Sequence, residues 1–417
     1  MKRFFLILCS CLFVTIMIGA ATVDTGVRIF DSKVRTLRVA PLSNPYMPPV
    51  IVMNSGDRIR VVLDYLDYDV QYLRYSVTHC NADWQPSMLV ESEYVDGFDY
   101  ADINDYECSR ATFQQYCNYS FEIPNDEFVI TKSGNYLLTV YQQDDPDRIL
   151  FQTRFSICER MVDVMPEVTS RTDVDYNSEH QQVAVKVNYR QGDVNDPYND
   201  LTLVVGQNMR QDQTRFVTKP MMVGMGEITY DHNPLLIFEA GNEYRRFETV
   251  NTNTINMGVA QIKYYEPFHH ATLLVDEPRA NLQYLYDQTQ FGHFTVRNAE
   301  SDESNIEADY LVTHFTLNTG GPLEGGQLLL DGEFLLGMPS SMAVMKYDAS
   351  SGCYVSDLLL KQGSYNYQYL WLPDGTDVAR TAMIEGDKYQ TVNQYPILVY
   401  YHPSGARYDR LVGYAVA

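Results

Sequence analysis

The sequence predicts an all-β chain built of tandem antiparallel β-sandwiches of immunoglobulin-like type. Three observations predict it. Apolar and polar residues alternate along many short segments, no window of a dozen residues carries the 3.6-residue period of a helix, and turn-forming residues separate the segments. A period of two turns one set of side chains to a core and the other to water, the condition of a half-covered sheet. The 33 tyrosines fit, because a phenol covers a sheet face while its hydroxyl reaches solvent.

Met1 to Ala21 stands outside this pattern. Lys2 and Arg3 precede an apolar run from Phe4 to Ile18, and Gly19, Ala20 and Ala21 offer small residues for cleavage. That is the layout of a secretory signal peptide, too short in its core to span a membrane. Leu8-Cys9-Ser10-Cys11 faintly resembles a lipoprotein processing site, but the apolar run continues past Cys11. A soluble exported protein, cleaved near Ala21, is expected.

The first module is expected over 24–160. Leu73, Tyr75 and Val77 alternate with Arg74, Ser76 and Thr78, and Ser133-Gly134-Asn135-Tyr136 opens another strand. Arg154 to Cys158 reads as its closing strand, and the polar stretch Pro166 to His180 follows. A second module is expected over 161–300, where Val183, Val185, Val187 and Tyr189 alternate with Ala184, Lys186, Asn188 and Arg190. The charged run Asn298 to Asp309 reads as a linker. A third, immunoglobulin-like module is expected over 305–417, with Tyr365, Tyr367, Tyr369 and Trp371 on one strand face and Ser364, Asn366 and Gln368 on a wet one. No repeat of fixed period runs through the chain, which excludes a solenoid or a propeller.

Charge narrows the partners. The chain carries 31 lysines and arginines against 54 acids, a net charge of −23, and cleavage would also remove Lys2 and Arg3. Such a field repels nucleic acid and anionic membrane. It suits either a plain solvated surface or a cationic partner. No stretch after the signal approaches the length of a membrane helix.

Five of the seven cysteines lie beyond the signal: Cys80, Cys108, Cys117, Cys158 and Cys353. None forms a C-x-x-C pair, so redox catalysis and a structural zinc site lack support. In an oxidising compartment the first four allow three pairings. Cys108 with Cys117 is the first expected, around a short loop; buried free thiols are the alternative.

Catalytic motifs are not found: no G-x-S-x-G elbow, no H-E-x-x-H helix, no P-loop. His269 and His270 would point to opposite faces of a strand and cannot chelate one metal together; an exposed loop pair is expected. Asp96, Asp99, Asp102 and Asp105 have the composition of a calcium loop without its ligand spacing, and read as solvated turns. Glycosidase carboxylates are set by spatial separation, which the sequence does not select among so many acids. The expectation is a protein that is not an enzyme and has no metal or cofactor.

His79-Cys80-Asn81-Ala82-Asp83-Trp84 is the most distinctive segment. Read structurally, Asn81 and Asp83 make turn bonds to the backbone and Trp84 folds over the sandwich edge. Read functionally, Trp84, Tyr94, Phe98 and Tyr100 form an aromatic surface for a partner.

At this segment the chain resembles the first domain of the type IX secretion system plug proteins. The resemblance rests on His79 to Trp84, Glu93-Tyr94 with Gly97-Phe98, Ser133 to Tyr136 and Arg154-Phe155. It continues through Gly241-Asn242-Glu243-Tyr244-Arg245-Arg246-Phe247, Ala308-Asp309-Tyr310, Leu359 to Gly363 with Tyr365-Asn366-Tyr367, and Tyr408-Asp409-Arg410-Leu411. It implies an all-β periplasmic protein of Bacteroidota that closes the periplasmic mouth of the outer-membrane translocon barrel when no cargo is engaged. The barrel would be the partner, the plug itself would not span the membrane, and no catalytic or pore-contacting residue is implied.

Three other readings compete with this one. Leu358 to Trp371 also resembles starch-binding immunoglobulin-like domains, which would make this a carbohydrate-binding accessory protein. Against it, an aromatic stripe on one strand face is more often core than platform. An exported hydrolase would need carboxylates the sequence does not single out. Cargo of the same system resembles proteins with a basic terminal signal, whereas Leu411 to Ala417 contains no lysine.

Overall fold

A computed structural model describes residues 25–417; the expected signal segment lies outside them. Strand accounts for 48% and helix for 5%. The α-helices among the described residues are single turns, Glu91–Tyr94, Ser304–Glu307 and Ser340–Ala343, too short to bury a helical face. None is long and apolar enough to cross a membrane. The chain is all-β, in mainly antiparallel sheets that share three cores, as the alternation predicts.

In the first sandwich, one sheet runs in the order Arg28–Ile29, Asp145–Cys158, Gly134–Gln142, Leu73–Cys80, Ala101–Ile103. The other runs Val34–Pro41, Ile59–Tyr65, Cys117–Ile123, Asp105–Cys108. Tyr75 and Val77 from one sheet and Val61, Leu63 and Tyr119 from the other meet in one core. Each such buried side chain stabilises by about 1.5–3 kcal/mol.

The second sandwich joins distant parts of the chain. Asp163–Thr169, His180–Asn188 and Glu227–Tyr230 make one sheet. In the other, Leu201–Gln207 pairs on one side with Arg210–Val217 and on the other with Pro396–Tyr401, which pairs with Arg410–Val416. Leu203 lies opposite Val399, and both enter the core with Val183, Val185 and Val187. The third sandwich pairs Arg245–Glu248, Gly363–Pro373, Phe294–Val296 and Gly326–Asp331 in one layer. Phe268–Leu273, Tyr310–Leu317 and Cys353–Lys361 lie in the other. Phe247, Phe315 and Tyr365 fill its centre.

The pairing therefore departs from the expected division at 161–300 and 305–417. Strands from 245 to 296 belong with the third core, and the last two strands close the second. Alternation identifies a strand but not its partner, and this closure joins residues some 200 positions apart. The expected linker also proves structural: Ile306 is buried, and Asp309 accepts from the backbone N–H groups of Phe113 and Gln114. The aromatic strand is buried on both faces rather than one. Behind Tyr365, Tyr367, Tyr369 and Trp371, the amide of Asn366 accepts from Gln290 N–H at 2.5 Å, and Gln368 donates to Tyr244 and Asp331. That stripe is core and cannot stack on a sugar.

Candidate functional site

The polar chemistry of this chain is concentrated where the sandwiches meet. At the first joint, the strand Leu73–Cys80 leaves its sheet in a tight loop: Trp84 N–H donates to Asn81 O at 2.9 Å, and Gln85 N–H to Asp83 Oδ1 at 3.0 Å. His79 is buried, with Ser87 Oγ 2.9 Å from Nδ1 and Ser133 O 3.0 Å from Nε2. Nε2 must donate to that carbonyl, so neutral Nδ1 accepts from the serine hydroxyl. Burial lowers the His79 pKa, opposed by its bond to Ser133 and the Asp409 carboxylate. Gly134 holds φ at +140° directly beneath; a Cβ there would stand 2.4 Å from Nε2.

The C-terminal strands lock onto this loop. Ala82 N–H donates to Asp409 Oδ2 at 2.8 Å, and Asp409 N–H to Asn81 Oδ1 at 3.1 Å. Asn135 Oδ1 accepts from the hydroxyls of Tyr400 and Ser156, each at 2.7 Å. Arg410 forks onto Glu159 at 2.8 and 2.9 Å. Leu411 and Tyr400 pack against Val50, Cys158 and Val204, so apolar contact backs the polar lock.

The second joint fastens the first sandwich to the third. Lys361 Nζ donates to Asp64 Oδ2 at 2.7 Å and to Asn305 O at 2.6 Å. Tyr310 Oη donates to the same carboxylate at 2.6 Å, and Asn118 to its other oxygen at 2.7 Å. The ammonium also sits 4.0 Å above the Tyr116 ring. Burial lowers the Lys361 pKa, and Asp64 opposes that shift.

The third joint surrounds Glu385, which is fully buried. Arg245 reaches it at 3.0 Å and Asp276 at 2.6 Å; Arg279 binds its other oxygen at 2.5 Å. Burial pushes the Glu385 pKa up, but the two guanidiniums outweigh it and hold the carboxylate below its ordinary value. Asn242 donates to Glu385 O at 2.8 Å, which ties the start of the third sandwich to the return path into the second.

The residues expected to form an aromatic surface do not come together. Tyr94 is buried, its hydroxyl donating to Val77 O at 3.2 Å; a phenol anchored under the sheet cannot meet a partner. Trp84, at φ +65°, lies beneath the Arg154 guanidinium, 4.5 Å away. It borders a cavity of about 210 Å³ between the sandwiches, with Met47, Met209 and His293. Phe98 and Tyr100 are exposed and stack on each other at 6.2 Å, with Arg74 above Tyr100. Arg74 lies within the strand Leu73–Cys80, and Trp84 lies in the loop beyond its other end. Cys108 and Cys117 lie opposite each other on paired strands and are joined as a disulfide. Cys80 and Cys158 are buried free thiols, and Cys353 is a half-buried one.

Among the described residues no cluster of three or more His, Cys, Asp or Glu side chains is placed to hold an ion. His269 and His270 lie in the strand Phe268–Leu273, not in the expected loop. His270 Nδ1 is 2.8 Å from His314 Nε2, and His314 Nδ1 is 2.6 Å from Asp357, a hydrogen-bonded line along a surface. Asp96, Asp102 and Asp105 are exposed positions on short strands rather than turns, with Asp102 paired to Arg74.

Comparison with known proteins meets this geometry. Residues 34–159 match the family described as type 9 secretion system plug protein, 1st domain. Residues 34–159 belong to the plug protein family as its first domain. A crystal structure of a hypothetical protein from Parabacteroides merdae is 38% identical, with a TM-score of 0.92 over 94% of this chain and 98% of that one. No curated protein matches.

Several of the segments singled out in the sequence fall on the three joints. His79 to Trp84, Ser133 to Tyr136 and Tyr408 to Leu411 build the first, joined by an ion pair between Glu93 and Arg407. Ala308-Asp309-Tyr310 and Lys361 build the second, and Asn242 and Arg245 the third. Sequence reading missed Asp64 and Glu385, whose partners are far away in the chain, and gave Asn135 no role beyond its turn. Lys361, a charge closing the apolar run Leu358 to Leu360, was the readable hint.

Proposed function

We propose that this protein is a non-catalytic periplasmic plug that docks on the outer-membrane translocon barrel of type 9 secretion and closes its pore when no cargo is engaged. The match of residues 34–159 to the plug's first domain carries the reading. The three joints support it, because a stopper must hold its shape against a wide pore. Each joint holds buried charges or hydroxyls in fixed hydrogen-bond geometry, which sets how the sandwiches meet. The chain's net charge of −23 supports docking at a cationic rim and keeps the stopper soluble.

The test pairs binding with leakage. Purified protein is expected to bind purified barrel, with association slowed by added salt, and a deletion strain is expected to admit more small dye while its cargo still folds. No binding, and no extra dye entry in a host that makes the barrel, would sink the proposal. A saccharide-dependent rise in melting temperature would promote a carbohydrate-binding role instead.

A further inference from the structure

The connection between Phe268–Leu273 and Phe294–Val296 is a long irregular strap whose side chains are arranged inside out. Three of its polar side chains anchor it from beneath, while Asn281, Gln283 and Gln288 face solvent. Arg279 binds Glu385, Tyr284 Oη donates to Glu243 at 2.6 Å, and Asp287 is clamped by Arg246 at 2.7 and 3.0 Å. The backbone is seated too: Arg279 N–H donates to Ile384 O at 2.8 Å, and Lys388 donates to Ala280 O at 2.7 Å. Gly386 lets the strap lie close, since a Cβ there would come within 2.7 Å of Ala280 Cα. Its large apolar residues point out: Leu282 is 62% exposed, Leu285 81% and Tyr286 63%.

A loop folding for its own sake would do the opposite. Irregular loops of this length are uncommon and usually functional, and contiguous exposed apolar side chains mark interaction surfaces. Anchored from beneath, the strap would lose little conformational entropy on binding. Ala280 to Tyr286 also contains no charge, in a chain whose net charge is −23. Charge depletion with tyrosine and leucine at the centre is the composition of an interface core rather than of a rim.

We infer that the strap, through Leu282, Leu285 and Tyr286, is a preformed docking surface for an uncharged, apolar protein groove. The inference rests on the docking reading above and names the translocon barrel as the protein that carries the groove. Acidic surface elsewhere speeds encounter; the strap holds the complex once formed.

The experiment measures binding of the full exported chain to purified barrel in detergent, with Leu285→Asp, Tyr286→Ser and the conservative Leu285→Met. Both polar variants should keep the wild-type melting temperature, since neither residue is buried. Each should weaken binding about tenfold or more, through faster dissociation that salt does not change, and Leu285→Met should bind like wild type. Wild-type binding that survives both polar substitutions overturns the strap and leaves the docking reading standing. Failure of the wild type itself to bind overturns both. A wild-type dimer in sedimentation that Leu285→Asp makes monomeric would show that the strap meets a second copy, and this also overturns the inference.

Discussion

Lys361 Nζ lies 2.7 Å from Asp64 Oδ2 with both side chains withdrawn from water, and it joins two sandwiches through residues nearly 300 positions apart. Desolvating two ions offsets most of their attraction, so the pair itself adds little net stability. Losing one partner is another matter.

Lys361→Met should cost about 3–5 kcal/mol, because it leaves Asp64 charged and buried. Adding Asp64→Asn to Lys361→Met should recover much of that loss. Denaturant titration of the two single variants and the double variant reads the coupling directly; simple additivity would show that the pair does not couple.

His79 predicts a pH dependence. Its folded pKa is lowered by burial, so below the unfolded value of about 6.5 the unfolded chain takes up a proton that the folded chain refuses. The stability contributed by neutral His79 is complete above that value and falls as pH drops toward the folded pKa, by at most about 1.4 kcal/mol per unit. His79→Gln should flatten the slope between pH 7 and 5. An unchanged slope would assign acid sensitivity to the carboxylates instead.

Gly134→Ala should be among the most damaging small changes, since its Cβ would stand 2.4 Å from His79 Nε2 on a backbone at φ +140°. Overpacking costs about 1–3 kcal/mol, with backbone strain added. Gly352→Ala, at φ +71° in open space, should lose only the strain. Equal melting temperatures for the two variants would contradict the packing account.

The cysteines should divide into three classes. Cys80 and Cys158 are buried, with thiol pKa values pushed up to about 11, and should resist iodoacetamide until unfolding. Cys353 should react in the native protein. Replacing Cys108 and Cys117 with alanine should cost about 2–3 kcal/mol through the short loop their bond closes. Peptide mapping after native labelling settles the assignment, and label on Cys158 would refute it.

Local order was legible in the sequence and remote order was not. The alternation around Val183 to Val187 marks a strand because its period is a local property, and the structure has His180–Asn188 there. The same rule made Asn366 and Gln368 solvent-facing, but the segments that cover them come from residues 244, 290 and 331. The acids of Asn298 to Asp309 read as a linker because charge normally seeks water, yet Asp309 is spent on two backbone N–H groups of another sandwich. Tyr94 and Phe98 looked alike as loop aromatics; only the sheet beneath separates a buried anchor from a ring in solvent.

The closure of the second sandwich by Pro396–Tyr401 and Arg410–Val416 constrains how the molecule is made. A chain emerging N-terminus first can complete the first sandwich early and the third soon after. The middle one must wait, because Leu201–Gln207 has an unfilled edge until the last residues arrive. Those same residues carry Tyr400, Asp409 and Arg410, which fasten the first joint. The second core and the first joint are therefore completed by the same strands, and a chain cut before Pro396 would lack both a core and a clasp.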